Sequence, residues 1–331
     1  NGRDYTEFEK IYHVKIKDLG TLRFKPIQLN GGGLLLLLKR ALRRTLQVLF
    51  ECPDIQLMFM VAKALKNERG HDLLISIAVP HPIHWGVAKA WKKGNSIAKK
   101  WIADCGDPFM LARLDTFNKP FYFKYFEKCF CRKCDYLTVP FDDMKLQFYH
   151  DFRSKVFTIP QGFDFGEIKR YEGIIENRIP TFMYAGSIIL GKRDLSLFLD
   201  FLSGLQRDFR FIVYTNQTQW YEKYKLLLND RLELRKYIDR KDLIFEMSKV
   251  DFLINVDTVL DGGLNFEAVP SKLIDYALSC RPILNIYSNK LDVEKVNAFL
   301  NGDYSGRRII DLNKYNIKVV SDQFIQLGYL V

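Results

Sequence analysis

The sequence has no apolar stretch of the roughly 20 residues that a membrane-spanning helix requires. Leu34–Leu38 is five residues long and runs straight into Lys39-Arg40-Ala41-Leu42-Arg43-Arg44. No secretory signal pattern is visible. Three of the six cysteines fall in Cys129-Phe-Cys131-Arg-Lys-Cys134, but no second close pair completes the ligand set of a structural zinc site. Free thiols in a reducing compartment are therefore expected, with no bound metal. Helix-turn-helix, zinc-finger and RNA-stacking signatures are missing as well, which argues against nucleic acid as a partner. The chain opens Asn1-Gly2-Arg3 without Met, and further sequence is expected ahead of it. A glycine-rich loop following a first strand is not evident either. Asn30-Gly31-Gly32-Gly33 has the glycines but no strand leading in, so that loop is expected upstream of Asn1.

What is present is a well-supplied core. The 331 residues are 48% hydrophobic and 14% aromatic, enough for two α/β domains or one large one. The net charge of +11 is one-sided: residues 1–150 carry 25 Lys and Arg against 15 Asp and Glu, residues 151–331 carry 25 against 24. Such a surplus suits an anionic partner of the front half, either a membrane surface, a lipid pyrophosphate or nucleic acid, or else it is a solvated basic face. Residues 34–50 read as a basic amphipathic helix. A helix of this kind lies on anionic lipid or packs its apolar side on a sheet, and the residues alone leave both open.

Short apolar strands alternate with amphipathic helices along the chain. Strands are predicted at Tyr12–Ile16, Leu73–Ala78, Lys100–Ala103, Tyr136–Val139, Val156–Ile159, Thr181–Tyr184, Phe209–Tyr214, Phe252–Val256 and Pro282–Ile286. Helices are predicted at Trp85–Lys93, Phe109–Arg132, Leu195–Arg207, Trp220–Leu228 and Ser271–Leu278. This alternation predicts parallel sheets built from βαβ units. Ile159-Pro160-Gln161-Gly162-Phe163-Asp164 marks the best boundary, because Pro and Gly follow a strand there. Two doubly wound domains leave a cleft, and ligands of open α/β sheets sit beyond the carboxyl ends of the strands.

The richest chemistry lies between Val250 and Tyr276. A buried strand ends near Val256, and a polar loop Asp257–Val269 follows. A helix then opens at Pro270-Ser271, where Pro suits the first turn and Ser the cap. First-turn amides accept an anion such as a pyrophosphate, and Lys272 adds a full charge. Asp275 stands about one turn further in, where a carboxylate can accept two hydrogen bonds from a ribose diol. Glu267 stays on the loop at the mouth of the helix. Taken singly, each of these residues could equally cap or decorate an ordinary helix.

In order and spacing these residues resemble family 4 of the retaining glycosyltransferases. Glu267 is separated by seven residues from Asp275, with Pro270-Ser271-Lys272-Leu273 between them and Tyr276-Ala-x-x-x-Arg281-Pro-Ile-Leu after. Asp275 stands where Glu is commoner. Three more segments resemble the family in order: Cys134-Asp-Tyr-Leu-Thr138-Val-Pro140, Lys155–Asp164, and Met183-Tyr-Ala-Gly186-Ser187 with Lys192-Arg193 after it. Together they cover residues 134–290.

The resemblance implies the GT-B class of α/β fold, with two Rossmann-like doubly wound parallel-sheet domains facing a cleft. Residues 1–160 would bind the acceptor and 161–300 the nucleotide sugar, while 301–331 would pack back towards the first domain. It implies metal-independent retaining transfer from a nucleotide-diphosphate sugar, with no further cofactor. Glu267 would lie near the donor sugar and Asp275 would hold the ribose. Gly186, Ser187, Lys192, Arg193, Pro270, Ser271 and Lys272 would surround the diphosphate, although Ser187 stands where the family has its first basic residue. Tyr237 and Ile238, in Arg235–Leu243, fall where relatives hold the base, or are a plain surface turn. In the front half Asp107 is expected to touch the donor sugar or the acceptor, and His81 and His84 the acceptor. Many relatives have a His near the Gly106-Asp107 position, and this chain does not. The acceptor is expected to be a glycan or lipid-linked precursor of cell-surface polysaccharide, and the protein cytoplasmic and peripheral at an anionic membrane. A GT-B nucleotide-sugar epimerase or phosphorylase, sharing the same grip, is the alternative.

Overall fold

An alternating or continuous apolar run becomes a strand only where a neighbour takes up its backbone hydrogen bonds. That rule sorts the predicted strands in the structure, a computed structural model that describes residues 4–92, 97–112, 118–166, 168–189, 193–217, 222–257 and 271–330. The chain divides into two compact units, Asn1–Pro160 with Asp322–Val331, and Gln161–Ser321.

The first unit contains helices α1 (Thr6–Tyr12), α2 (Gly33–Phe50) and α3 (Ile55–Ala64), then strand β1 (His71–Ala78) and helix α4 (Pro82–Ala90). Strand β2 (Ala98–Cys105), helix α5 (Phe123–Lys133) and strands β3 (Tyr136–Val139) and β4 (Val156–Thr158) complete its sheet. The four strands run parallel in the order β1-β2-β3-β4. β2 is central, and its Trp101-Ile102-Ala103 is buried on both faces, as a parallel strand covered by helices must be. The indole of Trp101 donates to Ser76 Oγ at 2.8 Å, so the core's largest side chain keeps its polar atom satisfied.

Two predictions fail here. Tyr12–Ile16 alternates like a strand, but no described strand pairs with it. Tyr12 instead ends α1, and the amides of Val14 and Ile16 fold back on the carbonyl and carboxylate of Glu9. Of the helix predicted over Phe109–Arg132, the described residues form α5 from Phe123: Pro120 is disfavoured inside a helix, and α5 forms after it.

In the second unit β5 (Thr181–Ala185), helix α6 (Ser196–Ser203), β6 (Arg210–Tyr214), helix α7 (Glu222–Leu228), β7 (Leu232–Arg235) and helix α8 (Arg240–Met247) follow in turn. Next come β8 (Phe252–Asp257), helix α9 (Ser271–Leu278), β9 (Ile283–Tyr287), helix α10 (Val293–Leu300) and α11 (Ile317–Gly328), within which the division between the units falls. The parallel sheet has the order β7-β6-β5-β8-β9. The strand that starts the unit is therefore its centre. The chain winds outward one way through β6 and β7, then crosses to the other side for β8 and β9. All five residues of β5 are buried. On one face Phe182 stacks on Phe252 at 4.8 Å and on Phe211 at 4.9 Å between centroids. On the other, Met183 and Ala185 pack with Leu253, Leu273 and Tyr276 under α9. Gly162 sits close against α11: a Cβ there would lie 2.6 Å from Ile317 Cδ1 and 3.2 Å from Val320 Cβ, so those side chains would have to give way.

Phe182→Ala should remove the ring on which three strands of the second unit are stacked. The expected loss is about 3–5 kcal/mol, measured by urea unfolding of wild type and variant. A loss below about 1 kcal/mol would mean that the aromatic stack is not what holds this sheet together.

Candidate functional site

The strand order reverses between β5 and β8, and the carboxyl ends of strands beside such a reversal form the natural crevice of an open α/β sheet. Three backbone features build it. Gly186 follows β5, with a φ of +153° that suits glycine and an amide that donates to the carbonyl of Tyr214 at 3.1 Å. Ile189 and Arg193 then exchange two backbone hydrogen bonds, 2.7 and 3.2 Å, closing a loop that returns Arg193 to the strand end. α9 begins at Ser271, and its Tyr276 hydroxyl accepts from the amide of Ala185 at 2.8 Å and donates to that residue's carbonyl at 3.2 Å. This buried hydroxyl pins the helix to the last residue of β5.

These anchors bring Arg193 and Lys272 together. Lys272 Nζ is shut off from water and has no hydrogen-bond partner among the described residues, although the residue as a whole is only half-buried. It stands 5.2 Å from the Tyr184 ring centroid. Its pKa is lowered to about 8, chiefly by burial and then by Arg193 and Arg308, with Asp257 working in the opposite direction. Asp257, at the end of β8, is already engaged. Its Oδ1 accepts from Asn255 at 2.7 Å, and its Oδ2 from Asn285 at 2.9 Å and Arg308 Nη1 at 2.7 Å. Among the described residues, Lys272 thus has two arginines around it, while the carboxylate of Asp257 is committed to one of them. A buried ammonium without a partner is costly, and a multivalent anion is the ligand that would relieve it.

Other expected residues gather nearby. The Ser187 and Tyr237 hydroxyls are 3.4 Å apart, and the Tyr237 amide donates to Asn216 Oδ1 at 3.4 Å. Ile238 lies exposed beside Tyr237. Asp275 is one turn into α9, and its Oδ1 accepts from Arg240 Nε at 2.9 Å and Nη2 at 2.7 Å. Both bonds fall on one oxygen. Glu267, Lys192 and Pro270 lie outside the described residues.

The remaining expected residues belong to the first unit and are described there by themselves. Asp107 is exposed beyond the end of β2, and its carbonyl is 3.0 Å from His81 Nε2. His81 and His84 are buried where β1 meets α4. His84 Nδ1 lies 2.8 Å from Ser76 Oγ, and its Nε2 lies 3.5 Å from Cys105 Sγ. Burial drives the pKa of His81 down to about 4 and that of His84 well below its ordinary value, so both rings are neutral at physiological pH. They tie the β1–α4 turn to the neighbouring strand.

Sequence reasoning assigned nothing to Arg308, Arg240 or Tyr276. Tyr276 stood inside the quoted motif, and the buried position after Asp275 was its signal. Arg308 lies 51 residues from Asp257 and Arg240 lies 35 from Asp275, separations at which no local pattern pairs two residues. Among the described residues, no group of three or more His, Cys, Asp or Glu is placed to hold a metal ion.

The two units have the GT-B fold, two parallel-sheet domains of Rossmann type. Among solved structures the chain is similar to TarM of S. aureus, with a TM-score of 0.56 at 12% identity over 82% of this chain. It is also similar to the lipopolysaccharide outer core galactosyltransferase WaaB in its apo form, TM-score 0.55, 13% identity over 87% of this chain and 80% of that one. A third is Anabaena Alr3699/HepE in complex with UDP-glucose, TM-score 0.54, 11% identity over 86% and 88%. The chain spans 58% of the length of TarM. At identities this low the likeness is one of fold. No family model and no curated protein matches the sequence.

Lys272→Met tests the buried charge. Its folded pKa of about 8 lies below the ordinary 10.5, so between those values the unfolded chain holds a proton that the folded one lacks. Stability of the wild type therefore rises with pH across that window. The variant should be more stable near pH 7 by about 2 kcal/mol, the Tyr184 ring face offsetting part of the burial cost, and should lack that rise. Urea unfolding at about pH 7 and about pH 9.5 measures both. A variant that is less stable at the lower pH and keeps the slope contradicts the assignment.

Proposed function

We propose that the chain is a retaining glycosyltransferase of the family 4 type, moving a sugar from a nucleotide-diphosphate donor held by the second unit to a glycan or lipid-linked acceptor in cell-surface polysaccharide synthesis. The observation that carries the reading is the buried ammonium of Lys272, without a hydrogen-bond partner among the described residues and within the field of Arg193, at the point where the sheet reverses. A diphosphate bridging Arg193, Lys192, Lys272 and the first amides of α9, from Ser271 on, with Pro270 beside it, supplies the missing negative charge. HepE, which shares the fold, was solved with UDP-glucose, a ligand of this chemical class.

Each remaining group then has a task. Asp275 keeps its Oδ2 for the ribose diol while Arg240 holds Oδ1. Gly186 lets the backbone approach the phosphates, with Ser187 beside it. Tyr237 and Ile238 flank the base. Glu267, on the loop ahead of α9, meets the donor sugar. As the bond from the anomeric carbon to the diphosphate oxygen breaks, charge builds on that oxygen, where the fixed cations and helix amides stabilise the transition state more than the ground state. The acceptor is assigned to the first unit, with Asp107 at the exposed end of β2 and with His81 and His84 supporting the adjoining turn from beneath. The same unit carries the basic surplus, and an anionic membrane surface is its proposed partner.

A thermal-shift screen with nucleotide-diphosphate sugars identifies the donor, and transfer of a radiolabelled sugar to extracted glycans or lipids follows. Glu267→Ala and Arg193→Ala should each lower turnover by about 10²–10³-fold with circular dichroism unchanged, and the product should keep the donor's anomeric configuration. Near-normal turnover in either variant refutes the site. Sugar conversion without any acceptor identifies an epimerase instead.

A further inference from the structure

Helix α2 (Gly33–Phe50) is the one segment whose composition and packing pull apart most clearly. It has 18 residues, ten of them Leu, Val or Phe, and none of its residues is buried. Leu34, Leu38, Leu42 and Leu49 recur at helical spacing on one face and are 39–73% exposed, with Ala41 and Thr45 filling the same stripe. Leu36, Leu46 and Val48 turn partly away from solvent instead. The helix therefore keeps its most continuous apolar face uncovered.

Its polar residues are all of one sign or neutral. Lys39, Arg40, Arg43 and Arg44 stand in its middle, and no Asp or Glu occurs between residues 33 and 50. With about 3.6 residues per turn, Lys39 and Arg44 fall on the two borders of the leucine stripe and Arg40 and Arg43 behind it. The carboxyl end of the helix is fastened to the body of its unit. Glu51 Oε1 meets Lys119 Nζ at 2.5 Å with both side chains largely buried, and the hydroxyl of Tyr122 donates to the carbonyl of Leu49. Phe121 and Tyr125, on either side of Tyr122, are 69% and 61% exposed. The helix is thus held at one end with its apolar stripe left open to solvent.

We infer that α2 is a monotopic membrane anchor. It lies in the plane of an anionic leaflet, with the Leu34–Leu38–Leu42–Leu49 stripe among the acyl chains and its four cations at the phosphate level. Charge complementarity selects this occupant. A leaflet offers hydrocarbon bordered by negative headgroups, the pattern of a leucine stripe bordered by Lys39 and Arg44. Crossing the bilayer is a poor alternative, because four cations in the middle of the helix would sit at its centre. No single described helix is long and apolar enough to cross, and α2 with α3 reaches that length only with a bend of 48°. The inference deepens the membrane reading above by naming the element that makes the contact.

Flotation of the full chain with vesicles is the test. Wild type should float with phosphatidylcholine–phosphatidylglycerol vesicles at low salt and stay behind with phosphatidylcholine alone. The double variant Leu38→Gln, Leu42→Gln should lose about tenfold or more of the anionic-vesicle affinity, with an unchanged thermal midpoint. Arg40→Gln with Arg43→Gln should lose a similar factor and most of the salt dependence. The idea is overturned if wild type ignores anionic vesicles, or if the leucine variant floats as well as wild type. It is equally overturned if the stripe proves to be covered by a second copy, seen as self-association that the leucine variant abolishes while vesicles bind neither protein. Nucleotide-sugar binding, scored in parallel by thermal shift, reports on the second unit alone, so that failure of the anchor and failure of the enzymatic reading give different results.

Discussion

The buried ammonium of Lys272, uncompensated among the described residues, is the constraint on which the reading of the second unit depends. Lys272 enters the protein on the first turn of α9, loses its water at the tip, and finds no acceptor among the described residues. Asp257 is near enough to be felt, yet Asn255, Asn285 and Arg308 already occupy both its oxygens. Arg193 and Arg308 add repulsion. A protein selected only for stability would have no reason to keep such an arrangement, and a hydrophobic side chain of similar length would serve it better. The arrangement makes sense if the compensating charge arrives with the ligand.

That reading depends on geometry the sheet must supply. Opposite ends of the same strands do different work. Along their length, Phe182, Phe211 and Phe252 are buried among one another, which fixes the spacing of β5, β6 and β8. At the carboxyl ends, Ala185, Gly186 and Asp257 pass to loops and to α9. The Tyr276 hydroxyl bonded to both backbone groups of Ala185 joins the two regimes, because it transmits the position of the packed sheet to the first turn of the helix. Moving that turn by an ångström would separate Lys272 from Arg193. Asp275, three residues after Lys272 on the same helix, would also lose its line with Arg240.

Much of this was legible in the sequence, for a definable reason. Parallel strands buried on both faces read as short continuous apolar runs, so β5, β6, β8 and β9 were found from composition, and the Pro-Ser before an apolar period gave the start of α9. Tyr12–Ile16 misled because alternation describes one strand while a sheet needs two. Phe109–Arg132 misled because its apolar content outweighed Pro120. Contacts between distant segments were invisible: Arg308 with Asp257 and Arg240 with Asp275 leave no local mark. His81 and His84 illustrate another limit. Position after a strand suggested a ligand contact, whereas burial, which a sequence does not print, leaves both rings neutral and turned inward.

The two units share a common logic of incompleteness. A folded chain normally satisfies its buried charges and covers its apolar stripes, so a departure from either rule marks a surface selected for something other than folding. Lys272 breaks the first rule inside the second unit, and the leucines of α2 break the second on the outside of the first. The two missing partners differ in kind: one is compact and multiply charged, the other extended and apolar with a charged border. On the proposed reading, an enzyme that joins a water-soluble activated sugar to an acceptor kept at a lipid surface would need one surface of each kind. The one-sided charge of the sequence would then follow from the same requirement, since a membrane contact calls for many dispersed cations, whereas a diphosphate is met by a few held in fixed positions.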